Sequence, residues 1–333
     1  MKRKVKIGLL VVLFIMTAGI GTAGGYALYL SHKAQQAVSD SRQELNRGEK
    51  SEMRGTTVNP FEDNISVLFV GIDDSTKREK DGNALSDALI LATFNEENKS
   101  VKMVSIPRDS YVNIPEVGYK DKITHAHAFG GIDATIEAVE GMFGIPVDYY
   151  VRLNFNSFVA IVNALDGIKY DVPFEMKEQN SEDQQEAIHL QPGLQELTGE
   201  EALALARTRK YDSDLARGQR QMELIQAIVQ KAKTAEAVND YGKLIDSIED
   251  NFKTNMTFNE LVSFKDYVLN ENGLQYEEMQ LEGKGIWINN GWYYEVEETS
   301  LVTIRKELKN HLDIELHQNK DSEFTAEESI PYY

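Results

Sequence analysis

The stretch VLFVGIDDSTKREKDGNALSDALILATFNEENKSVKMVSIPRD, residues 67–109, contains three apolar runs of strand length with polar turns between them. Such runs read as adjacent strands buried in a sheet. Each carries charge at one end. Asp73 and Asp74 close the first, Asp87 opens the second, and Arg108 and Asp109 close the third. With the first and third strands parallel and the second antiparallel between them, these charges gather at one rim. Carboxylates and an arginine at the ends of buried strands suggest a metal-and-anion site. Solvated loop charge is the alternative for any one of them, but not readily for three strand ends at once.

Upstream, Lys2, Arg3, Lys4 and Lys6 precede an uncharged run from Ile7 to Leu30. At ~1.5 Å rise per residue this run is long enough to cross a hydrocarbon core of ~30 Å. It also exceeds the ~7–15 residues of a cleaved signal core, so a retained anchor is the expectation. The basic residues before it place the N-terminus in the cytoplasm. The chain then divides into a cytoplasmic segment 1–6, a transmembrane helix 7–30, a stalk or linker 31–63, an extracytoplasmic domain 64–316 and an acidic, disordered tail 317–333.

All 54 acidic residues lie after residue 30, together with 31 of the 35 basic ones. Such a surface repels nucleic acid, and a positive site for a phosphate must be local and built from a few arginines. The absence of cysteine removes disulfides, thiol nucleophiles and zinc-thiolate sites. His125 and His127 form the closest histidine pair, which reads as local hydrogen bonding in the absence of a third ligand.

Downstream, helical spacing appears at Ile132–Phe143, ending at Gly144, and again at Phe155–Leu165, with a strand expected over Gly167–Val172. Residues 175–186 read as a polar surface loop. Thr198 opens TGEEALALAR, where Glu201 completes a capping box. That helix leads to Arg207 and Arg209. In the next, Arg217, Gln221, Leu224 and Ile228 fall on one arc, so the inward stripe starts polar and turns apolar. Arg217 then points inward at a positive helix end, which favours an anion. A helix and a strand are expected within Thr257–Leu281, a hairpin turning at Asn289-Asn290-Gly291, and a closing helix over Ser300–Leu312.

GID, SDALIL, SIPRD, KITHAHAFGG, GIPVDYY, LQPGLQELTGEEALALARTR and the DxxRxxRQ of Asp214 to Gln221 together resemble the LytR-CpsA-Psr family of bacterial cell-wall enzymes, over roughly Val67 to Lys231. The resemblance implies an α/β/α fold with a central mixed sheet. It also implies a phosphotransferase that passes a glycopolymer such as teichoic acid from a polyprenyl-pyrophosphate carrier to the N-acetylmuramic acid hydroxyl of peptidoglycan. By position, Asp73 and Asp87 match the magnesium-associated aspartates, manganese being the other candidate ion. Arg108, Arg207, Arg209 and Arg217 match the pyrophosphate-binding arginines, with Gln221 beside them. The family commonly has an arginine two residues before the second aspartate; here that place is Leu85, with Arg78 in the preceding loop as a substitute.

This chemistry agrees with the residue types. Guanidinium forks suit phosphate oxygens, and Mg²⁺ takes one or two carboxylates plus phosphate oxygens. The stripes at Phe155–Leu165 and Leu224–Val229 could line a slot for the lipid or be plain core. A membrane-tethered, non-catalytic regulator or polymer-binding protein is one alternative; a lipid pyrophosphate hydrolase is another.

Overall fold

The computed structural model describes residues 25–73, 84–232, 245, 252–265, 267 and 275–314. In chain order the elements are α1 (Gly25–Ser41), β1 (Ile65–Asp73), β2 (Leu85–Asn95), β3 (Ser100–Ser105), β4 (Tyr111–Ile114), β5 (Tyr119–Lys122), α2 (Ile123–Phe143), β6 (Tyr149–Asn154), α3 (Phe155–Ala164), β7 (Ile168–Val172), β8 (Met176–Glu178), β9 (Ile188–Leu190), β10 (Gly193–Leu197), α4 (Gly199–Arg207), α5 (Asp214–Ala232), β11 (Phe252–Thr254), α6 (Phe258–Ser263), β12 (Gln275–Gln280), β13 (Gly283–Ile288), β14 (Gly291–Val296) and α7 (Glu298–His311).

Six strands form the central sheet in the order β11-β6-β1-β2-β3-β12. β2 lies antiparallel between β1 and β3, as the charge pattern of residues 67–109 requires, and β6 runs parallel to β1 on its other side. Alternate residues of each strand point to opposite faces. Val67, Phe69, Ile90, Phe94 and Val151 therefore join one apolar cluster, with α1, α3, α4 and α5. Leu68, Val70, Leu89, Leu91 and Tyr150 join the other, with α2 and α7. Both faces are covered, which is why the strands read as continuous apolar runs. The architecture is the expected three-layer α/β/α with a mixed sheet.

Several expectations meet a different structure. Residues 1–24, most of the expected anchor, lie outside the described residues. Among those described, no helix is long and apolar enough to cross a membrane. Leu30, assigned to the end of the span, is buried in the domain, as are Ala34, Ala37 and Val38 one and two turns later. Their spacing makes one face of α1, so the segment 31–63 is not a free stalk. Farther on, Arg47 pairs with Glu140 at 2.8 Å and Arg54 with Asp148 at 2.7 Å, which ties this segment to α2 and β6. The helix expected over Ile132–Phe143 begins nine residues earlier, with a break at Gly130 and Gly131, where Gly131 takes φ 65. Its end at Gly144, in the left-handed conformation, is as expected. The polar segment 175–186 contains β8, whose Met176 is buried in the core. The tail 317–333 lies outside the described residues.

Candidate active site

The antiparallel register of β2 and β3 builds the first part of the site. Ile90 pairs with Ser105, and the Ile106 N–H donates to the Leu89 carbonyl at 2.9 Å. Two residues farther along each chain, in opposite directions, Asp87 and Arg108 become a cross-strand pair, and they form an ion pair. The end of β1 reaches the same rim, since Asp73 pairs with Leu85. Of Asp73 only the main chain is described, and Arg78 lies outside the described residues. β6 also ends there: Asn154 pairs with Ile72, and its side chain caps α3 by accepting from Ser157 N–H at 2.9 Å. The rim is therefore the carboxyl edge of the parallel strands, where open α/β sheets bind ligands.

Two helices bring the remaining arginines. The Thr198–Glu201 capping box starts α4 as expected. Its last residue, Arg207, sits where the helix dipole favours a cation and lies over the Phe155 ring, 4.5 Å from its centre. Arg207 forms no ion pair with a carboxylate among the described residues. Arg220, buried at 4% exposure, pins the following loop: it donates to the Leu205 carbonyl at 3.1 Å and the Thr208 carbonyl at 2.7 Å, and pairs with Asp212. This presents Arg209, whose guanidinium is 3.6 Å from the Asp109 carboxylate. Arg217, in the first turn of α5, is 5% exposed and 2.8 Å from Asp214. One turn later Gln221 donates to the Ala206 carbonyl at 3.1 Å and joins α5 to the end of α4. Gly218 allows the close approach of α5 to β3, since a Cβ there would collide with the Ser105 side chain.

These side chains surround one cavity of about 320 Å³. Asp87, Arg108, Arg207, Arg209, Arg217 and Gln221 line its polar part, so six of the seven predicted residues meet in one place. The apolar part is formed by Phe69, Val151 and Leu153 of the sheet, Phe158 and Ile161 of α3, Leu203 of α4, and Leu224 and Ile228 of α5. The stripes that had two sequence readings thus both line a slot. Burial lowers the Arg217 pKa; Asp214 opposes this, while the Arg209 and Arg108 charges push it further down. The Nε atoms of Arg108 and Arg217 are buried and have no hydrogen-bond partner. A convergent set of guanidinium groups, with Arg217 buried and unsatisfied Nε donors on Arg108 and Arg217, is matched to a multiply charged anion.

Asp87 is the one carboxylate among the residues lining the cavity. The described residues contain no group of three His, Asp or Glu side chains able to hold a metal. The donor set fits a hard divalent cation that shares its coordination with substrate oxygens, not an ion held by protein alone. His125 bonds to Asp121 at 2.8 Å, the local bonding expected of that pair, whereas His127 reaches the Ala84 carbonyl, 43 residues away, at 3.0 Å. Sequence reading put Phe155 on an apolar helical stripe but missed its place under the Arg207 guanidinium. It also missed the supporting roles of Asp109 and Asp214. Asp214 was visible as the residue three before Arg217, a spacing that places them on one side of a helix.

The LytR_cpsA_psr family model matches residues 28–310. The polyisoprenyl-teichoic acid–peptidoglycan teichoic acid transferase TagT of Bacillus subtilis (strain 168) is 41% identical over 318 residues, 94% of this chain and 97% of the relative. Among solved structures, TagT bound to LIIa-WTA is similar with a TM-score of 0.69 at 41% identity, covering 81% of this chain and 99% of that one. TagT with bound octaprenyl pyrophosphate lipid is similar with a TM-score of 0.66 at 39% identity and the same coverage of this chain, again 99% of the other.

Proposed function

The chain belongs to the LytR-CpsA-Psr family, and from that premise we propose that it is a phosphotransferase attaching a teichoic-acid-type glycopolymer to peptidoglycan. The donor is the polymer on a polyprenyl-pyrophosphate carrier, and the acceptor is an N-acetylmuramic acid hydroxyl. One observation carries the reading: four arginines converge at the polar end of a slot whose walls are apolar. That combination suits a ligand with a pyrophosphate head and a hydrocarbon tail. The relatives named as teichoic acid transferases, and the similar structure with a polyprenyl pyrophosphate, support it.

In the proposed reaction the acceptor oxygen forms a bond to the phosphorus that bears the polymer. The bond from that phosphorus to the bridging oxygen breaks, polyprenyl phosphate leaves with the electron pair, and the acceptor proton is released. Arg108, Arg207, Arg209 and Arg217 hold the pyrophosphate oxygens, and positioned charge of this kind supplies most of the help such transfers need. Gln221 and Phe155 orient Arg207 by fixing the end of α4 and the guanidinium plane. Asp87, with Asp73 at the adjacent strand end, would hold Mg²⁺ or Mn²⁺, which would supply further charge neutralisation at the phosphates. Residues 7–24 would anchor the domain to the outer side of a Gram-positive membrane, where the lipid carrier resides.

The test incubates the protein with a lipid-linked glycopolymer and peptidoglycan oligomers, with and without Mg²⁺. Polymer should become covalently attached to the oligomers and polyprenyl phosphate should be released. Release without attachment would make it a hydrolase, and neither would leave a binding or regulatory protein.

A further inference from the structure

The hairpin of β13 and β14 lines no part of the cavity, yet it is fastened to the rim. The Tyr294 N–H donates to the Asp109 carbonyl at 2.8 Å. The Asp109 carboxylate is 2.7 Å from Lys122 and 3.6 Å from Arg209. On one hairpin face Tyr293 packs edge-on against Tyr111, with 5.0 Å between ring centres, and Lys122 lies over its ring. On the other face Tyr294 is buried and its hydroxyl donates to the Leu281 carbonyl at 3.0 Å. Burial raises the Tyr294 phenol pKa, and Glu297, Glu282 and the Asp214 carboxylate add to the rise.

Strand alternation puts Trp292 on that same face, two residues or about 7 Å along the strand from Tyr294. Trp287 is its cross-strand partner. The Trp292 ring covers Gly285, where an added Cβ would come within 2.7 Å of the indole nitrogen. Asn289 and Asn290 are both left-handed, at φ 46 and 65, as a tight two-residue hairpin turn requires. Trp287 is 73% exposed and Trp292 36%. Two adjacent indoles on one hairpin face, Trp287 for the most part solvated, make a surface of the kind that marks an interaction site.

Charge decides the occupant. From Glu282 to Glu298 the hairpin carries four carboxylates, Glu282, Glu295, Glu297 and Glu298, against the single ammonium of Lys284. Because Lys284 and Glu295 pair on the opposite face, the tryptophan face has no cation of its own within an acidic hairpin. A polyphosphate polymer is repelled there. An uncharged run of sugar rings is not, and the C–H faces of pyranose rings stack on indoles while their hydroxyls stay solvated. We propose that Trp287 and Trp292 form the acceptor subsite, a platform on which a peptidoglycan glycan strand lies next to the arginine rim. This rests on the reading of the protein as a transferase to peptidoglycan.

The chain contains only two tryptophans, so tryptophan emission, excited at the red edge where tyrosine does not absorb, reports this surface alone. Titration of the wild-type protein with soluble, uncrosslinked glycan strands should give a saturable change in emission. Trp287→Ala, a substitution at the more exposed ring, should raise the KM for peptidoglycan oligomers at least tenfold. The KM for the lipid-linked donor should stay unchanged. Emission that ignores glycan strands, or responds to free teichoic acid instead, would overturn the subsite, as would a Trp287→Ala effect on donor KM alone. If emission responds to glycan strands but the wild-type protein transfers no polymer to them, the platform stands and the transferase reading falls.

Discussion

Arg207 and Arg217 meet the cavity in opposite environments. Arg207 is supported by a ring face and a helix end but has no carboxylate among the described residues to neutralise it. Its removal takes away an anion ligand and little else. One lost charge-assisted fork corresponds to roughly 1.5–3 kcal/mol, so Arg207→Ala should slow polymer attachment by about ten- to a hundredfold with an unchanged urea midpoint. Arg207→Lys should recover little of the rate, since a point charge does not reproduce two parallel N–H bonds. Arg217 is different, being buried beside Asp214, whose side chain is 14% exposed. Arg217→Ala should abolish attachment and also lower the urea midpoint, because the Asp214 carboxylate is left without its partner. Equal midpoints for the two alanine variants would contradict this division.

At the scale of elements, the slot depends on how closely α4 packs on α3. Gly199, the first residue of α4, has no room for a side chain: a Cβ would collide with the Val159 carbonyl oxygen of α3. Gly199→Ala should destabilise by about 1–3 kcal/mol in urea, since backbone and not a side-chain tip must move. It should also weaken polyprenyl pyrophosphate binding, because Phe158 and Leu203 on those two helices line the slot. At the far end of the sheet α7 is held by His311, which bonds to Thr93 at 2.8 Å and Ser100 at 2.7 Å. Burial pushes its imidazole down to about 4 from the ordinary 6.5. The folded state therefore prefers neutral His311, so its contribution is complete above pH 6.5 and is lost as pH falls toward 4. The difference amounts to about 3 kcal/mol at most. Urea midpoints between about pH 7.5 and pH 4.5 should fall less in His311→Asn than in the wild type.

For the molecule as a whole, residues 25–63 belong to the folded unit. They supply Leu30, Ala34, Ala37, Val38 and Leu45 to the two cores, and Arg47 and Arg54 to the buried Glu140 and Asp148. A chain beginning at residue 64 loses that apolar burial, at ~25 cal/mol per Å², and strands two carboxylates. It should unfold at clearly lower urea than one beginning at residue 25. Trypsin should cut slowly after Arg47 and Arg54 in the longer chain. Rapid cleavage at both, with equal stability of the two chains, would restore the stalk.

Much of this protein is local and therefore legible in its sequence. Strand-length apolar runs ending in Asp73, Asp87 and Arg108 dictated the sheet and its charged rim, because burial on both faces leaves no other pattern. The capping box at Thr198 and the polar-to-apolar arc from Arg217 to Ile228 dictated two helices and the direction of one stripe. What lies far apart in the chain was decided only by packing. A polar-looking run with Ala34, Ala37 and Val38 becomes a core helix because partners from β11 and α6 cover its small residues. Helical stripes at Phe155–Leu165 and Leu224–Val229 are equally compatible with solid core. They line a slot because a cavity remains between side chains of α3, α4, α5 and the sheet. Trp287 and Trp292 read as hairpin residues and nothing more. That their hairpin is fastened to the rim follows from one backbone hydrogen bond between Tyr294 and Asp109, residues 185 positions apart. Periodicity carries burial, but the meeting of distant segments depends on the shapes they present to one another, which no local pattern encodes.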